Sequence, residues 1–161
     1  VKLAALYRED DGQARLHVAA RDGFAAVDSL SPDLAGLRDV ADLYARGPGA
    51  VNLLRELAAG ANADVPAARA RYAPPVLRPS KIVCVGLNYA DHIAESGAAT
   101  PERIVLFAKF PSCLIAHGEP IVYPRITSEL DYEGELAVVI GRQAREIPVE
   151  RALDYVGGYT I

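Results

Sequence analysis

The chain has 161 residues with 17 basic and 21 acidic side chains, a net charge of −4, and half of its residues are hydrophobic. That balance supports a packed core and excludes wholesale disorder, while no uncharged apolar run approaches the ~18 residues of a membrane span. The N-terminus lacks the basic-then-apolar pattern of a secretory signal. Two cysteines, Cys84 and Cys113, are too few for a disulfide framework or a four-cysteine zinc site, so the expected compartment is the cytoplasm.

Charge is unevenly placed. Residues 1–80 carry ten basic and ten acidic side chains, whereas residues 81–161 carry seven and eleven and hold the whole net charge. This sign argues against nucleic acid and anionic membrane as partners, because both demand positive surface. It raises instead the question of a bound cation. The chain contains no Met or Trp, begins at Val1 and stops at Ile161 directly after a strand-like Tyr159-Thr160. A piece of a longer protein is expected.

Two short apolar segments, residues 2–8 and 13–20, flank Glu9-Asp10-Asp11-Gly12, which is a hairpin signal. Within the second, alternation sets His17 opposite Leu16 and Val18, on a face expected to meet solvent. Ser31-Pro32-Asp33 opens a helical stretch with Leu34, Leu37, Val40 and Leu43 on one stripe. Gly47-Pro48-Gly49 ends it, and residues 51–57 read as a second helix. From Pro66 to Ser80 the composition turns to Ala, Arg and Pro, as in a stiff extended linker. The expected organisation is a small α/β module over residues 1–70, a Pro-rich linker over 71–80, and a larger domain from Lys81.

That second part is strand-rich. Residues 82–85 form a buried-strand run, followed by Gly86 and a short helix over 90–95 stopped by Gly97. Residues 104–108, 121–123 and 136–140 are further strand candidates, and 152–156 a brief helix.

Three constellations carry candidate chemistry. In Asp131-Tyr132-Glu133-Gly134-Glu135, strand geometry puts the three acids on one face. Carboxylates converging within ~4 Å repel by about 4 kcal/mol at an effective dielectric of 20. Solvent, an arginine, a raised pKa or a divalent cation must offset that. With oxygen donors alone the cation is hard: Mg²⁺, Mn²⁺ or Ca²⁺. His92-Ile93-Ala94-Glu95 sets an acid one helical turn from an imidazole, either a surface pair or an oriented general base. Lys109, between Phe107-Ala108 and Phe110-Pro111, is either a snorkelling edge residue or a site cation. His117 reads as a turn residue, Cys84 packs as a small hydrophobe, and Cys113 has no evident base partner. Gly157-Gly158 lacks the rest of a phosphate loop.

Residues 81–95 (KIVCVGLNYADHIAE), 106–109 (LFAK), 130–141 (LDYEGELAVVIG) and 157–160 (GGYT) together resemble the fumarylacetoacetate hydrolase family, with 41 positions from His92 to Glu133. The resemblance covers residues 81–161, and the leading 70 or so resemble the small variable module of bacterial members. It implies an α+β, mainly β fold, a mixed β-roll around a divalent metal. It also implies Glu133 and Glu135 as two of three carboxylate ligands to Mg²⁺ or Mn²⁺, the third falling beyond Ile161. His92 and Glu95 match the family's dyad on a short closing helix, Lys109 a site lysine, and His117 stands where Gly is more usual. The implied activity is hydrolysis of a C–C bond in small 2,4-dioxo acids, with decarboxylases and isomerases of related 2-oxo acids as the alternative. A cytoplasmic homodimer acting on a small 2-oxo acid is implied as well.

Overall fold

The computed structural model describes all residues, Val1–Ile161, and the chain forms two compact units. One comprises Val1–Leu77 with Ile115–Ile161, the other Arg78–Leu114.

The first unit begins with an antiparallel sheet of order β1-β2-β3-β4: β1 (Leu3–Tyr7), β2 (Ala14–Ala20), β3 (Gly23–Ala26) and β4 (Val65–Pro66). The acidic turn closes the expected hairpin, with Gly12 at φ 67°. β3 and β4 approach so closely that a Cβ at Gly23 would lie 2.1 Å from the Val65 carbonyl oxygen, so only glycine fits.

One face of this sheet carries the core. Leu16, Val18 and Ala25 pack with Val27, Leu34, Leu37, Leu43 and Leu54. The helical segments are α1 (Val27–Leu30), α2 (Val40–Ala45) and α3 (Pro48–Ala58). The single stripe expected through Leu34 and Leu43 is instead a broken path. A 3-10 turn covers Pro32–Leu34, Gly36 takes φ 79°, and Asp39 caps a new helix by accepting from the Asp42 N–H. The leucines still converge, because hydrophobic burial needs only proximity and not a continuous helix.

His17 corrects an expectation. It does point away from Leu16 and Val18, but it is buried. The opposite face is covered too: Leu6 is buried, Tyr72 bridges to it, and Phe24 meets the Tyr72 ring edge-on at 5.8 Å. Alternation assigns faces but cannot say what chain returns to cover them.

The Pro-rich stretch is that returning chain. It lies against the edge of β1: Tyr7 N–H donates to the Arg71 carbonyl at 2.8 Å and Ala73 N–H to the Ala5 carbonyl at 2.8 Å. An edge strand has unpaired backbone groups, and an extended segment satisfies them. Farther along the same unit, Ala116 is buried and the His117 ring meets Tyr72 edge-on at 5.3 Å. Residues 121–123 form no strand. β7 (Ala137–Ile140) and β8 (Val156–Thr160) pair antiparallel, with a bulge at Val139/Ile140. A 3-10 segment, Val149–Tyr155, precedes β8 where the brief helix is expected.

The second unit is an antiparallel pair, β5 (Ile82–Gly86) and β6 (Val105–Lys109), with α4 (Ala90–Ser96) in the connection. Gly97 terminates α4 at φ 65°, a left-handed cap that favours glycine. Apolar side chains of both two-stranded ladders are open, among them Leu106, Phe107, Val138 and Ile140. No helix is long and apolar enough to cross a membrane.

Candidate functional site

Three of the five candidate residues belong to the unit Arg78–Leu114. β5 pairs in register with β6, so Gly86 faces Val105 at one end of the ladder and Ile82 faces Lys109 at the other. At the Gly86 end the chain turns sharply through Leu87, whose φ of 51° lies in the left-handed region. A non-glycine residue there carries about 1–3 kcal/mol of strain, the kind of corner that clusters at functional sites. Tyr89 then takes the extended N-cap position of α4, which carries His92 and Glu95 one turn apart, both exposed. No hydrogen bond or ion pair joins the two side chains. Lys109 is exposed at the far end of the ladder, about 13 Å along the strand from the exit toward α4.

The other two candidates, Glu133 and Glu135, lie in the unit that contains β7. The strand expected from Asp131 begins only at Ala137. Residues 128–136 have no regular structure, Asp131 turns back to accept from the Tyr132 N–H at 2.8 Å, and both glutamates are exposed. The ladder with β8 runs no further upstream than Ala137 opposite Thr160. Without a pairing strand, mutual repulsion of the acids and the freedom of Gly134 favour an irregular, solvated segment. The shared strand face expected for these carboxylates is therefore absent.

The donor chemistry fits a hard dication in part. Glu133 and Glu135 offer carboxylate oxygens that form no ion pair with an arginine or lysine. No group of three or more His, Cys, Asp or Glu converges on one point. A hard dication takes six or more oxygens, so water, substrate or further residues must complete its shell. A separate cavity of about 300 Å³ on the first sheet, lined by Tyr7, Arg8, His17, Asp64 and Arg69 among others, includes none of the five candidates.

Two features escape a reading by motif. Leu87 offers no sequence signal, since its conformation is set by the exit from β5. Tyr44 of α2 donates its hydroxyl hydrogen to the Gly157 carbonyl, and the glycine pair inside β8 was the available sign of a close backbone approach.

Comparison with known proteins identifies the family. The family pattern described as fumarylacetoacetate (FAA) hydrolase, C-terminal, matches residues 81–161. The chain is 33% identical over 147 residues to the mitochondrial oxaloacetate tautomerase Fahd2a of Rattus norvegicus, covering 90% of this chain and 47% of that protein. Among solved structures, a Mycobacterium smegmatis protein provisionally assigned as HpcE aligns over 98% of this chain and 52% of its own, at 33% identity and a TM-score of 0.68. A fumarylacetoacetate hydrolase from the psychrophile Exiguobacterium antarcticum aligns over 98% and 54%, at 30% identity and a TM-score of 0.62. The chain thus spans about half the length of the relatives it matches. With a mixed α+β fold shared across nearly all of its length and the family pattern over its second half, this chain belongs to the fumarylacetoacetate hydrolase family.

Proposed function

We propose that the protein is a divalent-metal-dependent enzyme that converts small 2-oxo acids through their enolates, and that its reaction is hydrolysis of a C–C bond in a 2,4-dioxo acid. The observation that carries this reading is the pair Glu133 and Glu135, hard donors free of any ion pair, inside the segment matched to the family. Glu133 and Glu135 would hold Mg²⁺ or Mn²⁺. When bound, the dication supplies Lewis acidity that draws electron density from a 2-oxo oxygen.

This chain's residues do the rest. His92 takes a proton from water as general base, with Glu95 one turn away favouring the resulting imidazolium. The hydroxide adds to the distal carbonyl, the C3–C4 bond breaks, and its electron pair passes into the 2-oxo end as an enolate. A proton returned to C3 completes pyruvate. Lys109 contributes positive charge where negative charge develops. Turnover thus requires α4 and Lys109 to meet one substrate.

The rat relative favours a second reading, in which the reaction stops at proton transfer. Its name describes an oxaloacetate tautomerase, and enol–keto exchange needs the same enolate without a water nucleophile. One assay separates the two. Pyruvate release from an acylpyruvate in Mg²⁺ but not in EDTA supports hydrolysis. Metal-dependent decay of enol absorbance of oxaloacetate, with no cleavage product from any acylpyruvate, supports tautomerisation. Metal-independent turnover of both substrates would contradict the whole reading. A cytoplasmic homodimer belongs to the same proposal, and light scattering of the intact protein tests the dimer.

A further inference from the structure

His17 stands on β2 between two alanines directly opposite it, Ala4 of β1 and Ala26 of β3. Cross-strand partners share a face, and methyl groups on both sides leave room above the sheet beside the imidazole. The cavity of about 300 Å³ lies there, with His17 in its wall. The residue is 4% exposed, and its Nδ1 is 2.9 Å from the Arg15 carbonyl oxygen. A carbonyl only accepts, so Nδ1 carries the hydrogen, and in the neutral ring Nε2 keeps a lone pair. Nothing in the chain donates to Nε2. Yet no buried side-chain nitrogen or oxygen lacks a partner. Nε2 therefore keeps an opening, and for a wall residue that opening is the cavity.

The other charges on the wall decide what can meet this lone pair. Arg8 is tied to Asp10, with Nε 2.8 Å from Oδ1. Asp64 accepts from the Ala26 N–H at 3.0 Å, which fixes its carboxylate beside the residue facing His17. Asp64 and Glu9 have no cationic partner, and Arg69, at the end of the 3-10 turn Ala67–Arg69, pairs with no acid. With Arg8 and Asp10 cancelling, two acids and one guanidinium remain. The acids repel a simple anion, and Arg69 repels a second positive group on a ligand. No three of these side chains converge to hold a metal ion. A small molecule with a donating cation at one end and an anion at the other matches every remaining charge.

We propose that this cavity is a binding site for a small α-amino acid. Its ammonium group donates to His17 Nε2 and to the Asp64 carboxylate, and its carboxylate meets the Arg69 guanidinium. The volume is at the lower end for ligand pockets, as suits a molecule of this size. None of His92, Glu95, Lys109, Glu133 and Glu135 lines the cavity, so binding here stands or falls separately from the proposed reaction.

Long-range proton–nitrogen NMR of the histidine rings in the intact protein tests this without any turnover. L-Alanine is the probe, with propionate and ethylamine as its two halves. The Nε2 signal of His17, recognised by its hydrogen-bearing Nδ1, is expected to shift and saturate with L-alanine. Each half is expected to bind at least about tenfold more weakly, since a charged hydrogen bond is lost at one end. Arg69 is exposed, so Arg69→Ala leaves the fold intact, and it should reduce L-alanine binding to the strength of ethylamine while leaving ethylamine unchanged. Should Arg69→Ala fail to fold, Arg69→Gln decides by the same criterion. A His17 signal that does not move up to about 0.1 M L-alanine overturns the proposal. Equal responses to L-alanine and its halves, or wild-type affinity in the Arg69 variant, overturn it as well.

Discussion

The Asp39 carboxylate holds two segments at once: one oxygen accepts from the Asp42 N–H at 2.9 Å, and the other accepts from the Leu77 N–H at 2.7 Å. Asp39 is 4% exposed, so both bonds are shielded from water. The first starts α2, and the second pins the end of the Pro-rich segment to the same point.

Asp39→Ala removes a helix cap and strands a shielded N–H, so it should destabilise the protein by about 2–4 kcal/mol. Urea denaturation followed by circular dichroism checks this. A loss within the noise would mean that water replaces the carboxylate at both donors.

Asp42 supplies a pH test. Its carboxyl is hydrogen-bonded by the Arg38 guanidinium, with Nε 3.0 Å from Oδ2, and this holds it below the ordinary value of 3.8. A depressed native pKa means that ionised Asp42 favours the folded state. The contribution is complete above the unfolded value and disappears as pH falls through the native one. Asp42→Asn should therefore flatten the fall in stability below about pH 4. Melting curves of both proteins across that range provide the comparison, and parallel curves would exclude the pair as a contributor.

His92 and the glutamates should separate binding from chemistry. His92→Ala is expected to leave Mn²⁺ affinity unchanged while lowering turnover about 10²–10⁴-fold, the usual contribution of a general base. Glu133→Gln and Glu135→Gln should lose Mn²⁺ affinity and turnover together. Isothermal titration beside a pyruvate or enol-absorbance assay reads both. Full activity in His92→Ala would reassign the base.

What was legible in the sequence follows from how local each signal is. The first hairpin, the strand over residues 82–86 and the glycine stop of α4 depend on a few adjacent residues, and they form within a residue or two of expectation. Burial of His17 depends on what covers its face of the sheet, where Phe24 and Tyr72 from distant parts of the chain meet, and no periodicity reports that. The chain around Glu133 fails as a strand for a similar reason: alternation describes one strand, whereas a ladder needs a neighbour. Family motifs named the candidate acids and the imidazole by position. They were silent on Tyr44, whose ring packs against Gly141 and Gly157 from a distant part of the chain.

The central claim is that Glu133 and Glu135 hold a dication that allows this protein to enolise a 2-oxo acid. Proton NMR of a 2-oxo acid in heavy water, with intact protein and Mg²⁺, follows deuterium entering at C3. The account predicts rapid exchange in Mg²⁺, background exchange in EDTA, and background exchange for Glu133→Gln and Glu135→Gln in either buffer. Undiminished exchange in EDTA, or in both glutamine variants with Mg²⁺ present, would contradict it.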